Sequence, residues 1–248
     1  MCYPINNKHS WFGILVIVVV MLSVALSCSN HTKISSVGSE PKETITPLVP
    51  TSFKTSIGLA MQYIPGGSFM MGMDIKEFEA FWPERIGIKW AIDKVANPHK
   101  VTLSDYFISA TEITQYQYQI IMGLNPSFFK GETLPVERVT WFDAVEYCNK
   151  MSELECLIPY YVIKDRQPAQ GYPILKANVT INSHANGFRL PTESQWEYAA
   201  REGRWKIDLS VAYAGSPNID DVGWHKGNSN YSTRSEEHTS ELQSRQVI

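Results

Sequence analysis

Four cysteines and six histidines are the side chains of this chain best suited to covalent or metal chemistry. The cysteines are Cys2, Cys28, Cys148 and Cys156. No C-x-x-C occurs, and no Cys/His group has the spacing of a zinc site. On one helix Cys148 and Cys156 would stand about 12 Å apart along the axis, too far for a disulfide. Cys148 falls on the apolar face of a predicted helix. It reads either as a small buried hydrophobe or as the disulfide partner of a cysteine further along an exported chain. The histidines are dispersed, with no H-x-x-x-H or H-E-x-x-H, so no local motif supports a nonheme iron or zinc centre. Gly66-Gly67 is a turn signal and not a phosphate loop.

Cys28 carries a different chemistry. Residues 11–26 form an apolar run, with Lys8 and His9 before it and Ser27-Cys28 after it. A positive flank, a short apolar core and a small-residue exit are the parts of a secretory leader. Ala25-Leu-Ser-Cys28 resembles a bacterial lipoprotein cleavage box, with Ala25 where Leu is more usual. The expectation is a signal peptide over 1–27, with Cys28 as first mature residue and its thiol as the lipid acceptor. An uncleaved anchor and an ordinary signal with an incidental cysteine are the alternatives. Residues 28–56, rich in Ser, Thr, Lys and Pro, read as a flexible tether.

Composition places the remainder among globular proteins: 44% hydrophobic, 12% aromatic and 19% charged. A formal net charge of −3 argues against a sequence-independent nucleic-acid binder. Residues 57–233 are long enough for one domain with a real core. Arg234-Ser-Glu-Glu-His-Thr-Ser-Glu-Leu-Gln-Ser244 resembles the translation of a common sequencing-library adapter. Residues 234–248 are therefore expected to be foreign, and the authentic chain to break off near Thr233.

The elements that must position any site are short. Two apolar strands flank Pro65-Gly66-Gly67, which reads as a hairpin. Residues 73–98 read as irregular, with scattered aromatics such as Phe78, Phe81, Trp82 and Trp90, and residues 100–108 as one strand. Three helix starts share a capping pattern: Thr114-x-x-Gln117, Thr140-x-x-Asp143 and Thr192-x-x-Gln195. The second helix should bury Phe142, Val145, Cys148 and Met151, with Ala144 beside them. The third should bury Trp196 and Ala199 or Ala200. Residues 160–163 and 178–181 read as a second hairpin, with 164–177 as an exposed excursion. Beyond Arg201 the chain is rich in Gly, Ser and Asn and loses periodicity.

Five segments together resemble the formylglycine-generating enzyme, or sulfatase-modifying factor, family. They are Ile64-Pro-Gly-Gly-Ser-Phe-Met-Met-Gly72; Val101-Thr-Leu103 through Thr111-Glu-Ile-Thr114; and Asn125-Pro-Ser-Phe-Phe129. Leu134-Pro-Val-Glu-Arg-Val-Thr-Trp-Phe-Asp-Ala144 follows. The most specific is Gly187-Phe-Arg-Leu-Pro-Thr-Glu-Ser-Gln-Trp-Glu-Tyr-Ala-Ala-Arg201. In that last motif Thr192 would cap and Trp196 would fill a core. Arg189 would pair with Glu193 or Glu197. These residues read as skeleton, not as chemistry.

The resemblance implies an α+β fold of the C-type-lectin-like kind, with short elements, much irregular backbone and an incomplete C-terminus. It implies that Cys148 matches a structural disulfide cysteine whose partner lies downstream. In the family's enzymes a cysteine pair binds copper and oxidises a sulfatase cysteine to formylglycine. Thiolates suit monovalent copper, but that pair would fall beyond Thr233, so no catalytic residue is expected in this chain. Gly227-Asn228-Ser229 falls where enzymatic members begin a calcium site, which makes Asn228 a candidate ligand.

Two functions follow. The first is an exported, lipid-anchored family member, enzymatic only if its full length supplies the cysteine pair. The second is a non-catalytic structural or binding lipoprotein, for example in motility or secretion machinery. An iron-dependent sulfoxide-forming enzyme is less well supported, since no room for its His-bearing helical domain exists before residue 57. The expected partners are a membrane through the N-terminal anchor, and a protein partner or sulfatase. The expected place is the periplasm or outer membrane. As written, the fragment is expected to be inactive and to fold poorly.

Overall fold

The computed structural model describes residues 50–73, 76, 98–201, 216, 218–225, 227–230 and 232–234, and the backbone of 21–22. Cys2, Cys28, most of the expected leader and tether, residues 77–97 and the residues beyond 234 lie outside the described residues. Eight strands are described: β1 (Met21–Leu22), β2 (Ser52–Lys54), β3 (Ala60–Ile64), β4 (Gly67–Met71), β5 (His99–Leu103), β6 (Tyr106–Ser109), β7 (Tyr161–Gln167) and β8 (Lys176–Ile181). The helices are α1 (Gln115–Met122), α2 (Trp141–Leu154) and α3 (Glu193–Ala200), and a 3-10 turn spans Ile219–Asp221. One antiparallel sheet has the order β1-β6-β3-β2, and β4-β5 and β7-β8 form separate pairs.

The expected hairpin at Pro65-Gly66-Gly67 is not a hairpin. β3 pairs with β6, while β4 pairs with β5 in another sheet. The single strand expected over 100–108 is likewise two strands, broken at Ser104-Asp105. The two breaks are one corner. A Cβ on Gly66 would lie 2.5 Å from the Leu103 carbonyl oxygen and 2.8 Å from the Asp105 nitrogen. The Asp105 carboxylate accepts from the Gly66 amide at 2.7 Å and from the Tyr63 hydroxyl at 2.6 Å. Those bonds hold the carboxyl below the usual carboxylate range and raise the Tyr63 phenol. Two neighbouring strands thus turn together from one sheet into the next.

The turn creates two cores. β6 is buried along its whole length. Phe107 joins a cluster with Leu59, Met61, Tyr118, Tyr147, Cys148 and Met151. Tyr106 and Ile108, on the other side of the pleat, join Phe69, Tyr198 and Ala199. The sheet also reaches into the expected tether. Phe53 of β2 meets Phe107 edge-on at 5.0 Å, and buried Thr55 accepts from the Leu59 amide. Ordered structure therefore starts before residue 57, because Phe53 has apolar area to bury.

All three capping boxes form, with each Thr hydroxyl and each third side chain bonding in reciprocity. α1 stops at Gly123, whose φ of 76° is the left-handed conformation glycine adopts freely. α2 buries Ala144, Val145, Cys148 and Met151 as expected, leaves Phe142 half-buried and also buries Asp143, Tyr147 and Ser152. α3 differs: Tyr198, Ala199 and Ala200 face inward, and Trp196 is half-buried and not the core filler. The β7-β8 hairpin is present, and its strands run further than expected. The excursion shrinks accordingly and is not wholly exposed, because Ile174 is fully buried.

Candidate functional site

Aromatic side chains collect where α2 begins and β7 begins. Trp141 follows the capping Thr140, so it sits on the first helical turn and projects sideways, 46% exposed. Its ring meets Phe142 at 5.3 Å and Tyr161 at 6.4 Å, both edge-on. Tyr160 adds a further edge contact to Tyr161 at 5.0 Å, and the Arg189 guanidinium lies 5.4 Å above the Tyr160 ring. The result is a row, Phe142-Trp141-Tyr161-Tyr160-Arg189, with T-shaped geometry throughout its rings.

The row is held from below. Asn149 of α2 brackets Tyr161, donating to its carbonyl at 2.7 Å and accepting from its amide at 3.0 Å. The Tyr161 hydroxyl accepts from the Leu190 amide, and burial pushes its pKa up to about 12. It therefore stays a neutral phenol at any physiological pH. A second exposed aromatic stands on the Asn125–Phe129 loop. The Glu137 carboxylate accepts from the Phe128 and Phe129 amides, and buried Gln115 bonds Phe129, Pro135, Asn125 and Gly131. That scaffold presents Phe128 at 62% exposure beneath Arg138, 4.8 Å from the ring centroid.

Behind the row, a charged cluster ties the short excursion to α2. Glu146 takes a hydrogen bond from Arg166 at 2.8 Å and one from the Tyr172 hydroxyl at 2.5 Å. Lys150 donates to Tyr172 at 2.9 Å. Burial works against the Glu146 charge, but the Tyr172 and Arg166 bonds outweigh it and hold the carboxyl below its ordinary range.

The residues singled out from sequence are dispersed over the fold. Cys148 is fully buried in the main core as a free thiol, pushed far up in pKa by desolvation. Cys156 is free and exposed. Arg189 donates to the Gln195 side chain at 2.9 Å and to the Leu190 carbonyl at 3.0 Å. Thr192 caps α3, and Glu193 is exposed in its first turn. Glu197 accepts from the Gly72 amide and pairs with Arg201, which in turn holds the Met70 and Gly72 carbonyls. That pairing fastens α3 to the end of β4. The motif expected to fix the loop before the helix also fixes the strand beside it.

Asn228, the candidate calcium ligand, lies in a turn beside the 3-10 segment. The Asn228 side-chain oxygen accepts from the His225 amide, and its nitrogen donates to Asp220 and the Gly223 carbonyl. These bonds close a turn. Among the described residues no group of three or more His, Cys, Asp or Glu could hold a metal ion. Neither copper nor calcium chemistry is derived from these side chains.

The aromatic row was not singled out from sequence. The only signal for it is a pair of adjacent aromatics at each of two element starts, Trp141-Phe142 and Tyr160-Tyr161.

A profile of the sulfatase-modifying factor enzyme 1-like domain matches residues 49–246. The chain belongs to that family. Chaperone protein LppX of Paenibacillus barcinonensis is 50% identical over 129 residues, covering 50% of this chain and 45% of that protein. This chain thus aligns with less than half of that relative's length. Treponema denticola variable protein 1 has a similar fold, with a TM-score of 0.61 at 26% identity over 79% of this chain and 73% of that one. The α+β sulfatase-modifying-factor fold read from the five sequence segments is the fold observed.

Proposed function

We propose that this chain is an exported, lipid-anchored member of the sulfatase-modifying-factor family that binds other polypeptides in a chaperone-like role. Cys28 carries the lipid, and residues 29–50 tether the domain in the periplasm or at the outer membrane. The observation that carries this reading is the 50% identity to a relative named as a chaperone. The aromatic row supports it. Exposed Trp141 stands beside half-buried Tyr160, Tyr161 and Arg189, and Trp, Tyr and Arg are the residue types that dominate protein-binding surfaces, with rings that lose little entropy on contact. Preorganisation by Asn149 and Leu190 lowers the cost further. The row takes Phe142, Trp141 and Arg189 from the family segments and adds Tyr160 and Tyr161 to them.

The test is co-expression in a bacterial host with an exported alkaline phosphatase whose folding limits its yield. The full chain should raise the active yield at least about twofold, since even ~1 kcal/mol of added folding bias changes abundance several-fold. Cys28→Ser should release the chain from the membrane fraction and abolish the gain. An unchanged yield with the wild-type chain would count against the proposal.

A further inference from the structure

We propose that Arg138 and Phe128 together form a carboxylate-binding site, which takes an acidic side chain flanked by apolar residues on a client polypeptide. The inference rests on the polypeptide-binding reading above and names the chemistry of the partner. Arg138 stands two residues before Thr140, the cap of α2. Its φ of 61° is left-handed. Asn or Gly would take that conformation with less strain. Arginine here joins a strained backbone to a guanidinium, and strain of this kind collects at functional positions.

The guanidinium is held in place but not neutralised. Its central carbon lies 4.8 Å from the centroid of the Phe128 ring, which covers one of its faces. Phe128 is fixed in turn by an edge contact with Phe129 at 5.1 Å, and the amides of both donate to Glu137. Glu137 is the neighbouring acid, yet it leaves Arg138 largely free. One carboxylate oxygen takes the two amides, and the other lies 3.8 Å from the Arg138 Nε, beyond hydrogen-bond reach. The Glu137 side chain is 13% exposed and that of Arg138 60%. The terminal nitrogens of Arg138 make no hydrogen bond among the described residues. Paired N–H donors in one plane fit the two oxygens of a carboxylate.

The ligand has two surfaces to satisfy at once. Phe128 is 62% exposed, so an apolar group beside the carboxylate covers ring that otherwise faces water. A free inorganic anion would use the guanidinium and leave the ring bare. An acidic residue with apolar neighbours uses both. Exposed Trp141 follows Arg138 by three residues, no more than ~11 Å of chain, so one extended segment can reach both.

The test is an NMR titration of the full chain in detergent micelles, followed at the Phe128 amide and ring. The probe is an end-blocked peptide of serine and leucine with one central glutamate, and its control carries glutamine there. The glutamate peptide should bind about fivefold more tightly, the upper range for an exposed ion pair. Arg138→Asn should abolish that preference. It should not lower the thermal midpoint, because Asn tolerates the left-handed backbone, which shows that the fold is intact. Equal affinity for the two peptides, or a preference that survives in Arg138→Asn, would overturn the proposal. So would displacement of the glutamate peptide by an equimolar amount of inorganic phosphate, the mark of a plain anion site. Tighter binding of the glutamine peptide once its C-terminus is unblocked would also overturn it, since the site would then read chain ends and not side chains. Selective binding in a chain that gives no gain in phosphatase yield would sink the chaperone-like reading and leave this site standing. A gain in yield without selectivity would do the reverse.

Discussion

The Ile174 amide donates to the Asp143 carboxylate at 2.8 Å, joining the middle of an excursion to the first turn of α2. The other carboxylate oxygen accepts from the Thr140 amide, also at 2.8 Å. Thr140 completes the exchange by donating its hydroxyl to the Ile174 carbonyl. One buried acid thus caps a helix and anchors a distant segment whose side chain is fully buried.

Replacing that acid removes both functions at once. Asp143→Ala should cost about 3 kcal/mol, the sum of a lost capping box and a buried amide left unsatisfied. Urea unfolding of the full chain measures it. A loss below about 1 kcal/mol would mean that water or a neighbour replaces the carboxylate.

The shared corner makes a sharper demand on Gly66. A methyl group there meets backbone atoms of Leu103, Ser104 and Asp105, all within 2.8 Å of the ideal Cβ position. Backbone cannot swing aside as a long side chain can. Gly66→Ala should therefore destabilise by about 2 kcal/mol through overpacking. Gly58→Ala is the useful comparison: its added Cβ meets nothing within 4 Å, and only its φ of 76° opposes it. The Gly58 substitution should cost about 1 kcal/mol.

Glu146 gives the fold a dependence on pH. Its folded pKa lies below its ordinary value, because hydrogen bonds from Tyr172 and Arg166 overcome the burial that would raise it. A depressed acid contributes stability that is complete above its unfolded pKa, about 4.3 for glutamate. That contribution disappears as pH falls through the folded value. Thermal unfolding between pH 6 and about pH 3 should show a steeper acid limb for wild type than for Glu146→Gln. Parallel curves would remove this carboxylate from the account.

Thiol labelling separates the two described cysteines. Cys156 is exposed and Cys148 is fully buried, with its thiol pushed far above the ordinary range by desolvation. Only thiolate reacts readily. Iodoacetamide followed by peptide mapping should modify Cys156 in the native chain and Cys148 only after denaturant is added. Equal labelling of both in native buffer would show that the main core opens freely.

These features differ in how far sequence reveals them. Each capping box is local: a Thr and a Gln or Asp three residues later bond within one turn. So are the apolar positions Val145, Cys148 and Met151, which follow helical spacing. The corner is not local. Gly66 and Asp105 are 39 residues apart, and nothing near Pro65-Gly66-Gly67 distinguishes a sheet-to-sheet turn from a hairpin. Ile174 looked exposed because its burial depends on Asp143, 31 residues earlier. Trp196 is apolar and on a helix, yet Tyr198 takes the inner position because Phe69 packs against that ring at 5.1 Å. The aromatic row needed Trp141 and Tyr161 to meet across α2 and β7, which bonds between separate elements such as the Asn149 bracket arrange.

Binding of unfolded polypeptide by this chain is the central claim, and light scattering tests it most directly. Citrate synthase is heated at 43 °C, a setting of about the lower edge of mesophile unfolding, with and without an equimolar amount of the full chain. The account predicts that aggregation is slowed at least about twofold by the wild-type chain. It also predicts that Trp141→Asp, which removes the exposed member of the aromatic row without touching the core, removes most of that protection. Scattering curves that coincide with and without the wild-type chain would contradict it.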